Sequence, residues 1–155
     1  MPYTFTVTDD ADENVRIQIL NPLRSYNESQ VGPSQHRALA VVLRDDSNVV
    51  VGGLWGATGY GWLFTQLLMV PESARGRGVG KELLRRAEAE AMARGCHSAW
   101  LDTFEFQARG FYEHLGYACF GELPNYPKGF VRNFMQKSLA TGAPERTPPA
   151  VTSKP

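Results

Sequence analysis

The sequence predicts a mixed α/β domain with a mostly antiparallel sheet, because three strand-like segments precede the longest amphipathic segment. Segments 37–43 and 49–55 are β-branched or apolar, and the turn-forming residues 44–48 separate them. A glycine-rich turn over 56–61 then leads into a third strand over 62–70. Together these segments predict an antiparallel meander.

A glycine loop and further elements follow the meander. Pro71 ends the third strand, and apolar residues recur at near-helical spacing from the loop to a helix end at Gly95. A short apolar strand is predicted over 98–103, and a second helix over 107–115. Two last strands are predicted over 117–120 and 130–138, joined by the turn-rich residues 122–129.

The two ends of the chain carry weaker signals. Alternation over Tyr3–Val7 predicts a first strand, and Asp9 and Asp10 predict the start of a helix over 11–26 that breaks near Pro22. The Pro-rich segment 140–155 has too little apolar content to offset the entropy of ordering. We therefore predict one domain over 1–139 and a disordered tail over 140–155.

Composition excludes several classes of protein. The chain has 155 residues, 43% of them hydrophobic, and no apolar run approaches the ~20 residues that span a membrane. Sixteen basic and sixteen acidic residues give no net charge, which argues against nucleic acid as a partner. Cys96 and Cys119 have no His or Cys at metal-ligand spacing, so no metal site is expected. No secretion signal is evident, and we expect a soluble, cytoplasmic protein without a membrane partner.

The loop Arg75–Gly80 has the features of a phosphate site. It opens a helix, where unpaired N–H groups and the helix dipole attract an anion. Its three glycines allow close approach of the backbone, and its two arginines can add charge-assisted contacts. A Walker loop is excluded because Glu82 follows Gly80-Lys81, and a dinucleotide fingerprint is excluded because an antiparallel meander comes first. A purely structural loop is the alternative.

Two motifs here resemble a known superfamily. Leu68–Gly80 resembles the acyl-CoA motif of the GNAT N-acyltransferases, and Phe111–Tyr117 resembles their second signature. The likeness extends over 37–139, and segment 102–112 resembles an uncharacterised bacterial branch. The resemblance to the superfamily implies an acetyl-CoA-dependent N-acetyltransferase. Its sheet should have six to seven strands that splay apart between the fourth and the fifth, with about four flanking helices.

The resemblance implies which residues bind the cofactor acetyl-CoA. Loop amides hold the pyrophosphate, and the strand before the loop pairs with the pantetheine arm. Gln107, just before the tyrosine-bearing helix, is expected to contact the pantetheine amides. The remaining residues expected to bind the cofactor are Leu68, Val70, Arg75, Gly76, Gly78, Val79 and Gly80.

Acyl transfer to an amine needs a neutral nucleophile, stabilisation of the oxyanion and a proton for the departing thiolate. The resemblance implies that Tyr112 supplies this proton, although a core aromatic is the alternative. Many relatives carry a glutamate base on the strand before the loop, but this chain has Gln66. Asp102 and Glu105 are the remaining candidate bases. Both are alternatively solvated or capping carboxylates, and deprotonation through water stays open.

The acceptor is expected to be a primary amine of a small molecule with an apolar body. Aromatic residues in segments that line the acceptor side of this fold support this expectation, although they alternatively fill the core. A peptide or protein amine, and a sensor that binds acyl-CoA without turnover, stay open. Dimers are common in the superfamily, so a homodimer is also expected. The predicted acceptor-binding residues are Tyr26, Tyr60, Trp62 and Phe64.

Overall fold

The computed structural model describes residues 2–139. The predicted disordered tail over 140–155 lies outside the described residues. The chain forms two compact units, of which the first ends at Ser34 and the second begins at Gln35.

The first unit contains one helix, α1, which runs over Glu13–Val31. The side chain of Asp12 accepts a hydrogen bond of 2.9 Å from the N–H of Val15 and begins the helix. The predicted break near Pro22 is wrong, since the helix continues through this residue. Proline removes a single backbone donor, and intact turns on both sides keep the segment helical.

The predicted first strand over Tyr3–Val7 is also wrong. These residues adopt no regular structure, and the side chains of Tyr3, Phe5 and Val7 are exposed. Alternating apolar and polar residues favour a strand, but a strand also needs a neighbouring strand to pair with its N–H and C=O groups. The described residues of the first unit contain no strand with which this segment could pair.

The second unit is built on a six-stranded sheet with the order β1-β2-β3-β4-β6-β5. Neighbouring strands are antiparallel except for β3 and β4, which are parallel. The predicted mixed fold is confirmed, with three α-helices among the described residues where about four were expected. The strands are β1 (Arg37–Arg44), β2 (Val50–Gly59), β3 (Trp62–Met69), β4 (Ser98–Phe104), β5 (Ala118–Pro124) and β6 (Val131–Ser138).

Over residues 35–139 of this unit, two α-helices and a short 3-10 helix accompany the sheet. The 3-10 helix covers Glu72–Ala74, directly after β3, and α2 covers Val79–Ala93. A shorter helix, α3, covers Arg109–His114 between β4 and β5. The chain therefore passes from β3 through the glycine loop into α2, as the sequence predicts.

The sheet divides between β3 and β4. Their pairing begins at Trp62 and Ser98 and ends at Thr65 and Leu101. Beyond this point β3 pairs only with β2, and β4 pairs only with β6. This is the predicted splay between the fourth and fifth strands, with the numbering lowered by one because the predicted first strand is absent.

A β-bulge marks the point of division. Trp55 of β2 lies opposite Leu67, and the next residue, Gly56, lies opposite Thr65, so Gln66 is an extra residue in β3. A bulge bends its strand and increases the local twist. The bulge therefore directs the end of β3 away from β4.

The hydrophobic core lies between α2, α3 and one face of the sheet. Apolar residues of α2 repeat at helical spacing and face alternate residues of the central strands. Tyr112 of α3 and the following Tyr117 belong to the same core. Its most enclosed members are Leu63, Leu84, Ala87, Ala91, Ala99, Leu101 and Met135.

A buried polar link joins α2 to the end of the sheet. Glu88 of α2 accepts a hydrogen bond of 3.0 Å from the hydroxyl of Tyr117 and one of 2.8 Å from Nζ of Lys137. Burial and the neighbouring carboxylate raise the pKa of Tyr117, so its hydroxyl stays protonated and donates. The buried carboxylate thus depends on two donors.

Replacing Lys137 by Met should destabilise the fold by leaving Glu88 with one donor. Breaking a buried ion pair costs about 3–5 kcal/mol. The Lys137 side chain is 24% exposed, so we expect a loss of roughly 1–3 kcal/mol in the free energy of unfolding. Urea unfolding followed by tryptophan fluorescence measures it, since all three tryptophans lie in the second unit. Lys81→Met, at an exposed lysine, is the control, and an equal loss in both variants would contradict the role of the link.

Candidate active site

The glycine loop presents an uninterrupted run of backbone donors. Gly76 and Gly78 have φ of 73° and 76°, in the left-handed region that favours glycine. The first helix-type bond of α2 is donated by Glu82 to the carbonyl of Gly78, at 3.0 Å. Within residues 2–139, the six N–H groups of residues 76–81 have no hydrogen-bond acceptor. Such a concave run at a helix N-terminus is suited to an anion.

The loop has room for that anion. A Cβ built on Gly76 or Gly78 would meet no heavy atom within 4 Å. Arg75 anchors the loop, because its Nε donates a hydrogen bond of 3.1 Å to the carbonyl of Val70. Arg77 is exposed beside the same donors. The predicted loop residues therefore fit a pyrophosphate by both shape and charge.

Gly80 is required for a different reason. A Cβ at this position would lie 3.0 Å from Cζ of Phe111 and 3.5 Å from Cγ2 of Val70. The first turn of α2 thus packs directly against α3 and against the chain just after β3. Three predicted features, the loop, the end of β3 and the helix that carries Tyr112, are brought together.

The end of β3 offers further unpaired backbone. Residues 66–69 have no strand partner on the side that faces β4. The side chains of Leu68, Val70 and Val79 pack against the core, so they fix this segment on its core-facing side. The exposed N–H and C=O groups form an edge that can pair with an extended, amide-containing chain.

Tyr112 is buried at the start of the second signature. Its ring contacts Phe111 and Tyr117 at centroid distances of 5.1 and 5.9 Å. Its hydroxyl has no hydrogen-bond partner among residues 2–139. Burial, aided by the negative charge of Asp102, raises the pKa of Tyr112 to about 12. The side chain is therefore a protonated, unengaged donor at neutral pH.

The two predicted bases differ in their surroundings. Asp102 accepts a 2.7 Å hydrogen bond from Nε of Arg132 and a second contact from Nη2 of the same guanidinium. Glu105 is exposed in the turn after β4, and its carboxylate has no partner within the described residues. Of the two, only Glu105 is unengaged.

Gln107 closes the turn between β4 and α3. Its Oε1 accepts hydrogen bonds from the N–H of Phe104 at 3.0 Å and from Oγ1 of Thr103 at 3.2 Å. The acceptor atom of this side chain is therefore occupied within the chain. Only the Nε2 group can make the predicted contact with a cofactor amide.

Three of the four predicted acceptor residues lie in one segment, at the turn before β3 and in its first half. Tyr60 lies in the β2–β3 turn, and Trp62 begins β3 with its ring 5.8 Å from that of His97. The eight residues of β3 span roughly 23 Å, so both lie far from the open end of the strand. The hairpin therefore places both residues at the other end of β3, and their assignment to the acceptor site stays a prediction. Tyr26 belongs to α1, in the first unit.

Phe64 has a position closer to the division of the sheet. Its ring stacks on that of Trp100 at 4.2 Å, and Trp100 shares a sheet face with Asp102 by strand alternation. The sequence prediction missed Arg132, which pairs with Asp102 from 30 residues away. No spacing signal indicates such a pair.

The comparison with known proteins decides the family. The model of the acetyltransferase (GNAT) family matches residues 9–117. The chain belongs to the GNAT family. It is an acetyltransferase that uses acetyl-CoA, as members of this family do.

Similar proteins cover almost the whole GNAT domain. The chain is 41% identical to an acetyltransferase of Agrobacterium fabrum over 133 residues, or 86% of this chain and 97% of the relative. It is also 41% identical to the blasticidin-S acetyltransferase of Streptomyces morookaense over 140 residues, or 90% and 98%. A crystal structure described as an acetyltransferase from Agrobacterium tumefaciens superposes with a TM-score of 0.83 at 40% identity, covering 88% of this chain and 99% of that one.

The described part of this GNAT protein contains neither a membrane-spanning helix nor a cluster of metal-binding side chains. Within residues 2–139, no helix combines the length and apolar character needed to cross a membrane. Across the same residues, His, Cys, Asp and Glu nowhere form a group of three or more that could hold a metal ion.

Replacing Gly80 by Ala should weaken binding of coenzyme A. The new Cβ would press on the ring of Phe111 and displace the first turn of α2, which misdirects the N–H groups of the loop. We expect the Kd for coenzyme A to rise about 10-fold, equivalent to ~1.4 kcal/mol. Isothermal titration calorimetry measures it.

Gly110→Ala is the matched control, since a Cβ at this helical glycine would meet no heavy atom within 4 Å. It should leave the Kd unchanged. Equal Kd values for the two variants would show that the contact with Phe111 does not position the loop.

Proposed function

We propose that this enzyme transfers the acetyl group of acetyl-CoA to a primary amine of a small molecule, by direct attack in a ternary complex. The carbon–nitrogen bond of the amide forms, the carbon–sulfur bond of the thioester breaks, the amine loses a proton and the sulfur gains one. The observation that carries the proposal is Tyr112, a protonated hydroxyl without a partner beside the splayed strands and the glycine loop.

The loop and the open end of β3 bind the cofactor in this proposal. The N–H groups of residues 76–81 hold the pyrophosphate, and Arg75 and Arg77 neutralise its charge. The unpaired backbone of residues 66–70 pairs with the pantetheine amides. In this proposal an N–H of the same segment also donates a hydrogen bond to the oxyanion of the transition state.

Tyr112 acts as the general acid. Its raised pKa keeps the proton on Oη throughout the physiological range, and the lack of an internal partner leaves that proton available. The sulfur takes this proton as the carbon–sulfur bond breaks. Because a thiolate with an ordinary pKa near ~8.5 is a weaker base than the phenolate of Tyr112, cleavage of the thioester drives the transfer, not the difference in pKa.

Glu105 acts as the general base, directly or through a water molecule. Its carboxylate is exposed in the turn that connects β4 to the helix of Tyr112. Asp102 is held by Arg132, so its role is to fix that arginine. Gln66, at the bulge of β3, carries no titratable group, and the base must therefore come from another strand end.

A small-molecule acceptor is supported by the relatives. One protein that is 41% identical over 90% of this chain is a blasticidin-S acetyltransferase, named for a small-molecule substrate. The match covers 98% of that protein, so the acceptor-binding segments are included in the likeness.

Replacing Tyr112 by Phe should lower kcat about 100- to 10,000-fold, the range that a general acid contributes. The Kd for coenzyme A should stay within about two-fold, because the ring remains in the core and only the proton is lost. Thiol release from acetyl-CoA over a panel of polyamines, amino acids, aryl amines and short peptides identifies the acceptor class and measures kcat.

Tyr3→Phe, at an exposed tyrosine of the first unit, is the control and should behave as the wild type. Unchanged turnover in Tyr112→Phe would remove Tyr112 from the mechanism. Acetylation of peptides alone would replace the small molecule with a protein acceptor.

The pH dependence of kcat should show no descending limb near pH 10. Tyr112 has a pKa raised from 10 to about 12, so the acid form persists through pH 10 and is lost only as the pH approaches 12. Initial rates between pH 6 and 10.5 measure this dependence. A fall in kcat centred on pH 10 would indicate a tyrosine with an ordinary pKa.

A further inference from the structure

Four aromatic rings pack together at the end of β4, and three of them are exposed. We call this group the aromatic shelf: the half-buried Phe104 and the exposed Phe106, Tyr126 and Phe130. Phe104 stacks on Phe106 at 5.1 Å and on Tyr126 at 5.8 Å. Phe130 meets Phe106 edge to face at 5.1 Å. Phe106, Tyr126 and Phe130 are 56%, 46% and 42% exposed, so about half of each of these side chains faces solvent.

The aromatic shelf is held from within by Arg132 of β6. The guanidinium lies 4.6 Å from the ring centroid of Tyr126 and 5.2 Å from that of Phe104. Asp102 fixes the same guanidinium by an ion pair in which both side chains are largely buried. Two rings from different segments are thereby fixed in one arrangement before any ligand binds, which lowers the entropy cost of binding.

The charge of the aromatic shelf suits an amine. An unpaired arginine would repel a cationic ammonium group, but Asp102 neutralises Arg132. Glu105, between the two stacked phenylalanines in sequence, adds an exposed carboxylate without an internal partner. The surface therefore combines flat apolar faces with the unpaired carboxylate of Glu105, while the exposed Lys128 adds a cation in the turn between Tyr126 and Phe130.

The aromatic shelf is adjacent to the proposed chemistry. Phe104 ends β4, three residues beyond Leu101, where the pairing with β3 stops. Phe106 lies in the short turn before α3, the helix that carries Tyr112. One turn thus links the aromatic shelf, the proposed base Glu105 and the proposed acid.

We propose that the aromatic shelf binds the acceptor, and that the acceptor class is a primary amine joined by a short chain to a flat aromatic or heteroaromatic ring. The ring stacks on Phe106 and Tyr126, while Glu105 receives the ammonium end and then its proton. This inference rests on the proposed function, and it adds the chemical class of the substrate. A polyamine or a saturated amine lacks the planar face that these rings match.

Two amines of equal chain length test the inference: 2-phenylethylamine and 2-cyclohexylethylamine, assayed with acetyl-CoA and the full-length protein. Aromatic pairs contribute beyond their buried area, so kcat/KM should favour the phenyl compound about three- to ten-fold. Phe106→Leu should bring the ratio close to one. Phe120→Leu is the matched control, 54% exposed on β5 and outside the aromatic shelf, and it should keep the wild-type ratio.

A second variant tests whether the guanidinium of Arg132 holds the rings of Phe104 and Tyr126 in place. Arg132→Lys keeps the charge opposite Asp102 but loses the planar group that contacts Phe104 and Tyr126. It should raise KM for the phenyl compound about three-fold or more and leave KM for acetyl-CoA unchanged. A purely structural loss would instead lower the rates for both amines equally.

The outcomes separate the two proposals. Equal kcat/KM for the two amines, or a preference that persists in Phe106→Leu, would overturn the inference and leave the proposed function standing. Failure to acetylate either amine or any other amine of the panel would overturn both.

Discussion

The parallel pairing of β3 and β4 stops at Thr65 and Leu101, and the site depends on this interruption. A continuous sheet would use the backbone groups of residues 66–69 for β4 and leave no edge for a ligand. The extra residue Gln66 supplies the local cause, because a bulge bends the strand that contains it. The backbone of β3 is thereby released just before the glycine loop presents its own unpaired donors.

Burial gives the acid its properties. Tyr112 is enclosed by core aromatics and lies near a negative charge, and both effects favour the neutral hydroxyl. The same core continues through Tyr117 to the buried carboxylate of Glu88. The packing that stabilises α2 and α3 against the sheet therefore also keeps a proton donor ready beside the divided strands.

Local patterns predicted the glycine loop and the helix that follows it. The glycines of the loop and the helix after it follow from short-range rules, and the left-handed φ of Gly76 and Gly78 agrees with them. The reason for Gly80 was not predictable, since it lies in a contact with Phe111, 31 positions along the chain.

The acceptor side could not be predicted in the same way. Trp62 is in the third predicted strand, but which end of a strand faces the site depends on pairing between distant segments. The ion pair of Asp102 with Arg132 likewise joins two strands that are not adjacent in sequence. Tyr3–Val7 illustrates the same limit of prediction from local sequence. A segment of alternating residues forms a strand only where another strand is available to pair with it.

Hydrogen exchange of the backbone amides, with and without coenzyme A, tests the central claim most directly. The claim is that unpaired donors of residues 66–70 and 76–81 together bind the cofactor. Slower exchange confined mainly to these two segments is the predicted result, because bound amides lose access to solvent. Unchanged exchange in both segments at saturating coenzyme A would contradict the account.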